Sequence, residues 1–448
     1  MQSFKVGFIS LGCDKNLIDS EIMLGLLQKE GFSFTRDPKD AQILVVNTCG
    51  FIEDAKQESI DTIFELINYK KLDKNKKIIV TGCLAQRYKD ELLDQIGEID
   101  ALIGTMNYTE IVNVIKQCIN GKHGLNLTEL QNEFCYPENL PRVSTAPKHT
   151  VYIKVAEGCN NRCTYCVIPL LRGSYKSRHL ENILNEIRRF ANSGAKEIIL
   201  IAQDTTQYGI DLYGEYKLPE LIESASKISG VEWIRLLYCY PQYISEELIN
   251  TILNNDKICR YLDIPLQHIN NDILKKMGRK TTKTQIKNLI AKLRKKIPGI
   301  VLRTTFIVGF PGETEEEFEE LLDFVREVEF DKLGVFSYSQ EGGTPAALMP
   351  LQVSKSEKIK RYNKLMKLQK DISRKKNENL CGKTFKVLVE GFDDEKNMYY
   401  GRTYRDAPEI DGEIFVKSDK KIKIGSFVHA KIIKGLDYDL IGEVLDES

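Results

Sequence analysis

Three cysteines carry the densest chemistry in this 448-residue chain. Cys159, Cys163 and Cys166 lie in Glu157-Gly158-Cys159-Asn160-Asn161-Arg162-Cys163-Thr164-Tyr165-Cys166, a C-x3-C-x2-C pattern. Cubane iron–sulfur clusters take one cysteine thiolate per iron. Three thiolates on one tight loop leave one iron open, and an open iron can bind a small molecule through oxygen and nitrogen. The alternative is structural zinc, which wants four closed ligands at short spacing. The next histidine, His179, comes thirteen residues after Cys166 and opens a helix. The pattern therefore points to a reactive cluster, with a zinc staple as the competing reading.

A second set is spread through the N-terminal third. Cys13, Cys49 and Cys83 each end a short apolar run: Val6 to Cys13, Ile43 to Cys49 and Ile78 to Cys83. Such runs, separated by helix-length segments, read as buried parallel strands. The carboxyl ends of parallel strands share one edge, so three thiols there can converge on a second metal centre. Cys118, Cys135, Cys239, Cys259 and Cys381 share no such slot and read as core or incidental thiols.

The elements that must position these residues follow from periodicity. Residues 1–140 read as an open doubly wound α/β domain, with strands at 5–12, 43–49, 77–83 and 101–104. Residues 141–150 read as a linker. Residues 151–379 hold six strand–helix units, with strands at 151–156, 197–203, 233–239, 261–265, 300–308 and 333–339, which predicts a full or partial βα barrel. A closing helix is read at 355–378, where Ile359, Tyr362, Leu365, Met366 and Ile372 keep helical spacing beneath a lysine-rich face. Residues 380–448 lack a helical period and read as a small OB-like β-barrel, with strands at 384–390, 412–417 and 427–434.

Composition bounds the setting. Lys plus Arg and Asp plus Glu each number 64, so the net charge is zero. Met1-Gln2-Ser3-Phe4-Lys5 runs directly into a strand without an apolar leader core, and no apolar stretch reaches membrane-spanning length. Eleven cysteines without such a leader suit a reducing cytoplasm and argue for ligands rather than disulfides. From 380 to 448 there are 11 Lys+Arg and 14 Asp+Glu, a net of 11 − 14 = −3. An acidic barrel suits a basic protein better than a phosphate backbone. Lys420, Lys421 and Lys423, with the basic helix 355–378, leave RNA binding open but not favoured.

With these motifs in place, the chain resembles the methylthiotransferases of the radical S-adenosylmethionine superfamily over essentially its whole length. The resemblance implies two [4Fe–4S] clusters, a radical cluster on Cys159, Cys163 and Cys166 and an auxiliary one on Cys13, Cys49 and Cys83. It implies a radical-SAM barrel and a C-terminal TRAM-like β-barrel. The runs Ser10–Asn16, Arg303–Glu313, Phe336–Pro345 and Gly401–Gly412 resemble the branch that modifies an aspartate of small-subunit ribosomal protein twelve. Asp14 stands where that branch usually has proline.

The implied chemistry uses S-adenosylmethionine at the open iron as a source of a 5′-deoxyadenosyl radical, which takes hydrogen from the aspartate β-carbon. A methylated sulfur from the auxiliary cluster then joins that carbon. An external electron donor is implied, and no catalytic side chain beyond the cluster ligands is identified. Tyr165, Gln203, Asp204, Gln267 and Gly309 are the expected S-adenosylmethionine contacts; turn chemistry is the competing explanation for each. A transfer-RNA adenosine methylthiotransferase, an iron–sulfur electron carrier and a zinc-stapled binding protein are the alternative functions.

Overall fold

The computed structural model describes residues 4–130, 136 and 139–445. Cys135 lies outside the described residues. By packing, the chain falls into two compact units: 1–145 with 154–182 and 341–344, and 146–153 with 183–340 and 345–448.

The first unit is built on a six-stranded parallel sheet. The spatial order is Ser33–Thr35, Lys5–Ser10, Ile43–Thr48, Lys77–Gly82, Ala101–Ile103, Leu125–Leu127. Of the three long strands, Ile43–Thr48 and Lys77–Gly82 are apolar and almost wholly buried, as a sheet covered on both faces requires, while Lys5–Ser10 buries only Val6 and Gly7 fully. Helices Asp14–Lys29, Glu53–Leu72, Cys83–Gln95 and Ile111–Ile119 alternate with them. The two edge strands, three residues each, are too short to show a period. Strand order reverses between Lys5–Ser10 and Ile43–Thr48, and the crevice at such a switch point is where doubly wound sheets bind ligands. Cys13 and Cys49 flank it.

The second unit holds six parallel strands side by side in chain order: Thr150–Lys154, Glu197–Ile201, Trp233–Leu236, Ile258–Gln267, Val301–Val308 and Lys332–Ser337. The sheet stays open, so it is a partial βα barrel. Helix Lys355–Glu378 forms where expected, but its buried stripe differs from the expected one. Arg361, Leu365, Gln369, Ile372, Ser373 and Asn377 face inward, while Ile359 and Tyr362 are exposed. Three of the polar members donate to backbone carbonyls: Arg361 to Glu313 O, Gln369 to Phe330 O and Asn377 to Leu436 O.

The C-terminal strands close a five-stranded barrel: Thr384–Asp393, Met398–Thr403, Ile414–Lys417, Leu440–Val444 and Phe427–Gly435 in spatial order. Its core includes Val387, Ile414, Val416, Ala430, Ile432 and Leu440.

Candidate functional site: two cysteine triads and a sheet edge

Each cysteine of the N-terminal set sits at a strand-to-helix junction. Cys13 is the N-cap of helix Asp14–Lys29, Cys49 follows Ile43–Thr48, and Cys83 opens helix Cys83–Gln95. Helix N-termini favour thiolates and anionic ligands. Glycines allow the three loops to converge. A Cβ on Gly12 would lie 2.9 Å from Cys49 Cβ, and one on Gly50 would lie 3.0 Å from the Cys83 backbone. Gly82, at φ 93°, swings the chain into Cys83 beneath Asn47.

Asn16 ties the loops together. Its Nδ2 donates to Leu11 O at 3.1 Å and Thr48 O at 2.9 Å, and its Oδ1 lies 3.7 Å from Cys83 Sγ. Asn47 Nδ2 returns a bond to Asn16 O at 2.9 Å, and Ser59 Oγ brackets Cys49 through its N–H and carbonyl, each at 3.0 Å. Burial pushes the Cys83 thiol up to about 12 and raises Cys49 as well, so bound metal would be needed to hold them as thiolates near neutral pH.

The C-x3-C-x2-C loop belongs to the same unit. It springs from Ala156–Glu157, which pairs antiparallel with Lys176–Ser177. Gly158 and Arg162 take left-handed conformations, at φ 75° and 51°, which coil the loop back on itself. Cys159 N–H donates to Gly173 O, Cys166 N–H to Cys163 O, and Asn161 N–H to Cys159 Sγ at 3.5 Å. All three cysteines are half-buried and free of disulfides. Among the described residues no three His, Cys, Asp or Glu side chains surround a single metal ion. A cubane takes one thiolate per iron. Three thiols at strand-to-helix junctions and three on one loop are donor sets of the kind that such clusters use.

Four buried charges stand behind both triads. Lys154 Nζ contacts Asp19 at 2.6 Å and Glu157 at 2.7 Å. Arg172 Nη1 contacts Asp19 at 3.1 Å and Glu157 at 3.0 Å. Burial opposes the Lys154 charge, but the two carboxylates outweigh it and hold the ammonium protonated. Sequence reading missed this group. Its one local signal was Arg172, a cation closing the otherwise apolar run Ile168-Pro169-Leu170-Leu171.

The expected S-adenosylmethionine contacts are placed as follows. Tyr165 lies in the cysteine loop of the first unit. The other four follow or end three strands of the second unit, Glu197–Ile201, Ile258–Gln267 and Val301–Val308, along the carboxyl edge of the sheet. Asp204 is buried and caps a short turn, accepting from Thr206 N–H at 3.1 Å, Thr206 Oγ1 at 2.6 Å and Gln207 Nε2 at 2.7 Å. Gln203 precedes it. Gln267 holds a left-handed φ of 73°, and its buried Oε1 accepts no hydrogen bond among the described residues. Gly309, at φ 71°, donates its N–H to Glu313 Oε2, and Phe310 N–H donates to the same oxygen at 3.1 Å. Arg361 Nη1 lies 3.3 Å from the same Glu313 oxygen. Thr314, with Glu317, forms the capping box of helix Glu315–Val328. Tyr238, unremarked in the sequence, also takes a left-handed φ of 60°, with its N–H on Asp263 Oδ2 and its carbonyl on Thr205 N–H.

Residues 153–325 match the model of the Radical SAM superfamily, 381–445 that of the TRAM domain, and 5–104 that of a family described only as uncharacterized protein family UPF0004. The radical S-adenosylmethionine methyltransferase TsrM from Kitasatospora setae, solved with cobalamin and a [4Fe–4S] cluster, shares the fold. Its TM-score is 0.58 at 15% identity, over 78% of this chain and 77% of that one. The partial barrel and the three-cysteine loop thus define a radical S-adenosylmethionine protein.

Curated relatives narrow the class. Ribosomal protein uS12 methylthiotransferase RimO from Clostridium botulinum strain Hall is 53% identical over 447 residues, covering 100% of this chain and 99% of the relative. The protein of the same name from Desulforamulus reducens is 52% identical over 440 residues, covering 98% and 99%. The chain belongs to the ribosomal protein uS12 methylthiotransferase family of radical S-adenosylmethionine enzymes.

Proposed function

We propose that this chain adds a methylthio group to the β-carbon of an aspartate in small-subunit ribosomal protein uS12, using two [4Fe–4S] clusters. The carrying observation is the presence of two separate cysteine triads in one compact unit, one on a single loop and one gathered from three strand ends. Full-length relatives named for this activity support the substrate. When bound, the clusters would supply an electron to S-adenosylmethionine and carry the sulfur to be transferred. Cys159, Cys163 and Cys166 would hold the first, and Cys13, Cys49 and Cys83 the second.

The chain's own residues supply position and exclusion of water. Asn16 and Asn47 lock together the strand ends that carry the three N-terminal thiols. The paired strands at Glu157 and Lys176 fix the base of the other loop. Along the second unit's sheet edge, Gln267 offers an unmet buried acceptor, suited to a hydroxyl or amine of S-adenosylmethionine. Gly309, packed against the Lys358 stem with its N–H held by Glu313, shapes the turn at the end of its strand. Asp204 is engaged in its turn and serves that edge by shaping it. An external electron donor completes the reaction. Among the described residues no helix is long and apolar enough to cross a membrane.

The test is mass spectrometry of small-subunit ribosomal proteins from cells with and without the gene. Loss of one methylthio group from a single aspartate of uS12 on deletion is the expected result. An unchanged uS12 would sink the substrate assignment; a methylthio group missing from transfer-RNA adenosine instead would move the chemistry to RNA.

A further inference from the structure

Arg172 closes the five-residue helix Ile168–Arg172 that follows the C-x3-C-x2-C loop. Its side chain is buried. One face of the guanidinium, through Nη1, meets Glu157, two residues before Cys159, and Asp19. The other, through Nη2, donates to Asn16 Oδ1 at 2.5 Å and reaches Cys83 Sγ at 3.9 Å. Val167 and Leu171, on the same short segment, pack against Cys83 in a buried apolar cluster. A single cation therefore touches the base of one ligand loop and a thiol of the other set.

We infer that Arg172 is a positioning residue that hydrogen-bonds the Cys83 thiolate and sets the reduction potential of the auxiliary cluster. The inference rests on the reading of Cys13, Cys49 and Cys83 as cluster ligands. The physical ground is charge. A cluster on thiolates is anionic, and reduction adds a further negative charge. A buried cation donating N–H to a ligand sulfur stabilises the reduced state more than the oxidised one. Water is excluded here, so the effect is weakly screened. Asn16 Oδ1 aims the guanidinium, and Lys154, Asp19 and Glu157 hold the four-charge group neutral. Without that balance the buried cation would be strongly destabilising.

The test uses the full chain with Cys159, Cys163 and Cys166 replaced by alanine, so that only the auxiliary cluster is reconstituted. Its midpoint potential is measured by EPR-monitored redox titration with Arg172 intact, in Arg172→Gln, and in the charge-balanced pair Arg172→Gln with Glu157→Gln. Both variants are expected to shift to lower potential, with a tenfold drop in the reduced-to-oxidised ratio at fixed potential (about 59 mV for one electron). A second measurement needs no change at Arg172: pulsed EPR of the reduced cluster in protein carrying ¹⁵N-labelled arginine, where coupling to one guanidinium nitrogen is expected.

An unchanged potential in folded, iron-replete variants overturns the role of Arg172, as does absence of ¹⁵N coupling. Should neither variant fold, the ¹⁵N measurement decides alone. A chain that takes up no iron at Cys13, Cys49 and Cys83 refutes the ligand reading and the inference together; a cluster indifferent to Arg172 refutes only the inference.

Discussion

Arg402 and Glu197 lie 205 residues apart in the chain and form a two-pronged ion pair, Nη2 to Oε2 at 2.6 Å and Nη1 to Oε1 at 3.3 Å. Glu197 opens the second strand of the parallel sheet and also takes Arg235 Nε at 2.8 Å. Arg402 sits on the second strand of the C-terminal barrel and also holds Glu390 at 2.7 Å. The C-terminal barrel is thereby joined to the amino end of the sheet, opposite the carboxyl edge proposed for S-adenosylmethionine.

That pair predicts an acid-sensitive join. Burial alone would raise the Glu197 carboxyl; Arg402 and Arg235 outweigh it and hold it at about 2, below its ordinary 4.5. A folded value below the unfolded one gives stability that is complete above about 4.5 and lost as the pH falls toward 2. The gap corresponds to about 3 kcal/mol. Denaturant unfolding of the apo chain should therefore weaken steeply across that window. Glu197→Gln should cost about 3–5 kcal/mol at neutral pH, because it leaves Arg235 and Arg402 underpaired, and should flatten the acid limb. An unaltered acid limb in the variant would place the sensitivity elsewhere.

The run Gly401–Gly412, which in the sequence suggested a substrate-branch signature, is spent largely on this join. Asp411 accepts from Tyr261 OH at 2.7 Å and lies 3.6 Å from Arg303; Asp406 holds Lys332 at 2.6 Å; Tyr404 O accepts from Arg235 at 2.8 Å. Removing residues 380–448 should therefore yield an insoluble or protease-sensitive chain rather than a folded enzyme with weaker substrate binding. Asp411→Ala should cost about 2 kcal/mol in the intact chain, read by denaturant midpoint. A stable, fully folded truncated protein would return the run to a purely recognition role. Partner contact by the C-terminal barrel then falls to its exposed remainder, which includes the turn at Asp394 and Glu395 and the lysines at 420, 421 and 423.

What the sequence revealed and what it hid follow from the range of the interactions. Cys13, Cys49 and Cys83 were visible because a buried parallel strand is a short apolar run and its end is a fixed place. The loop cysteines were visible by local spacing. The strands Met398–Thr403 and Leu440–Val444 were not, because closing a small barrel asks for no clean alternation. The inner face of helix Lys355–Glu378 was misread because Arg361, Gln369 and Asn377 are buried against carbonyls that no helical period reports. Glu197, Arg172 and Asn16 owe their roles to partners 205, 89 and 32 residues away.

The two proposed clusters make a quantitative prediction about iron. With either triad changed to alanine, reconstituted chain should hold about half the iron and sulfide of the unaltered protein, one cubane instead of two. Only the chain lacking Cys159, Cys163 and Cys166 should lose reductive cleavage of S-adenosylmethionine. Zinc in place of iron, or iron that vanishes entirely on loss of one triad, would contradict independent sites.

Arg162 gives a test of loop geometry separate from ligation. It is exposed and left-handed at φ 51°, between Cys159 and Cys163. A non-glycine residue there carries about 1 kcal/mol of strain, and a β-branched one more. Arg162→Gly should keep the radical cluster and slightly stabilise the apo protein. Arg162→Val should destabilise the loop by about 1–2 kcal/mol and lower iron retention at this triad alone. The comparison is made in chain lacking Cys13, Cys49 and Cys83, by iron content and the EPR signal of the reduced cluster. Because the side chain is exposed, neither change removes a buried contact. Equal iron retention in Gly and Val variants would mean that this backbone turn does not set the spacing of the three sulfurs.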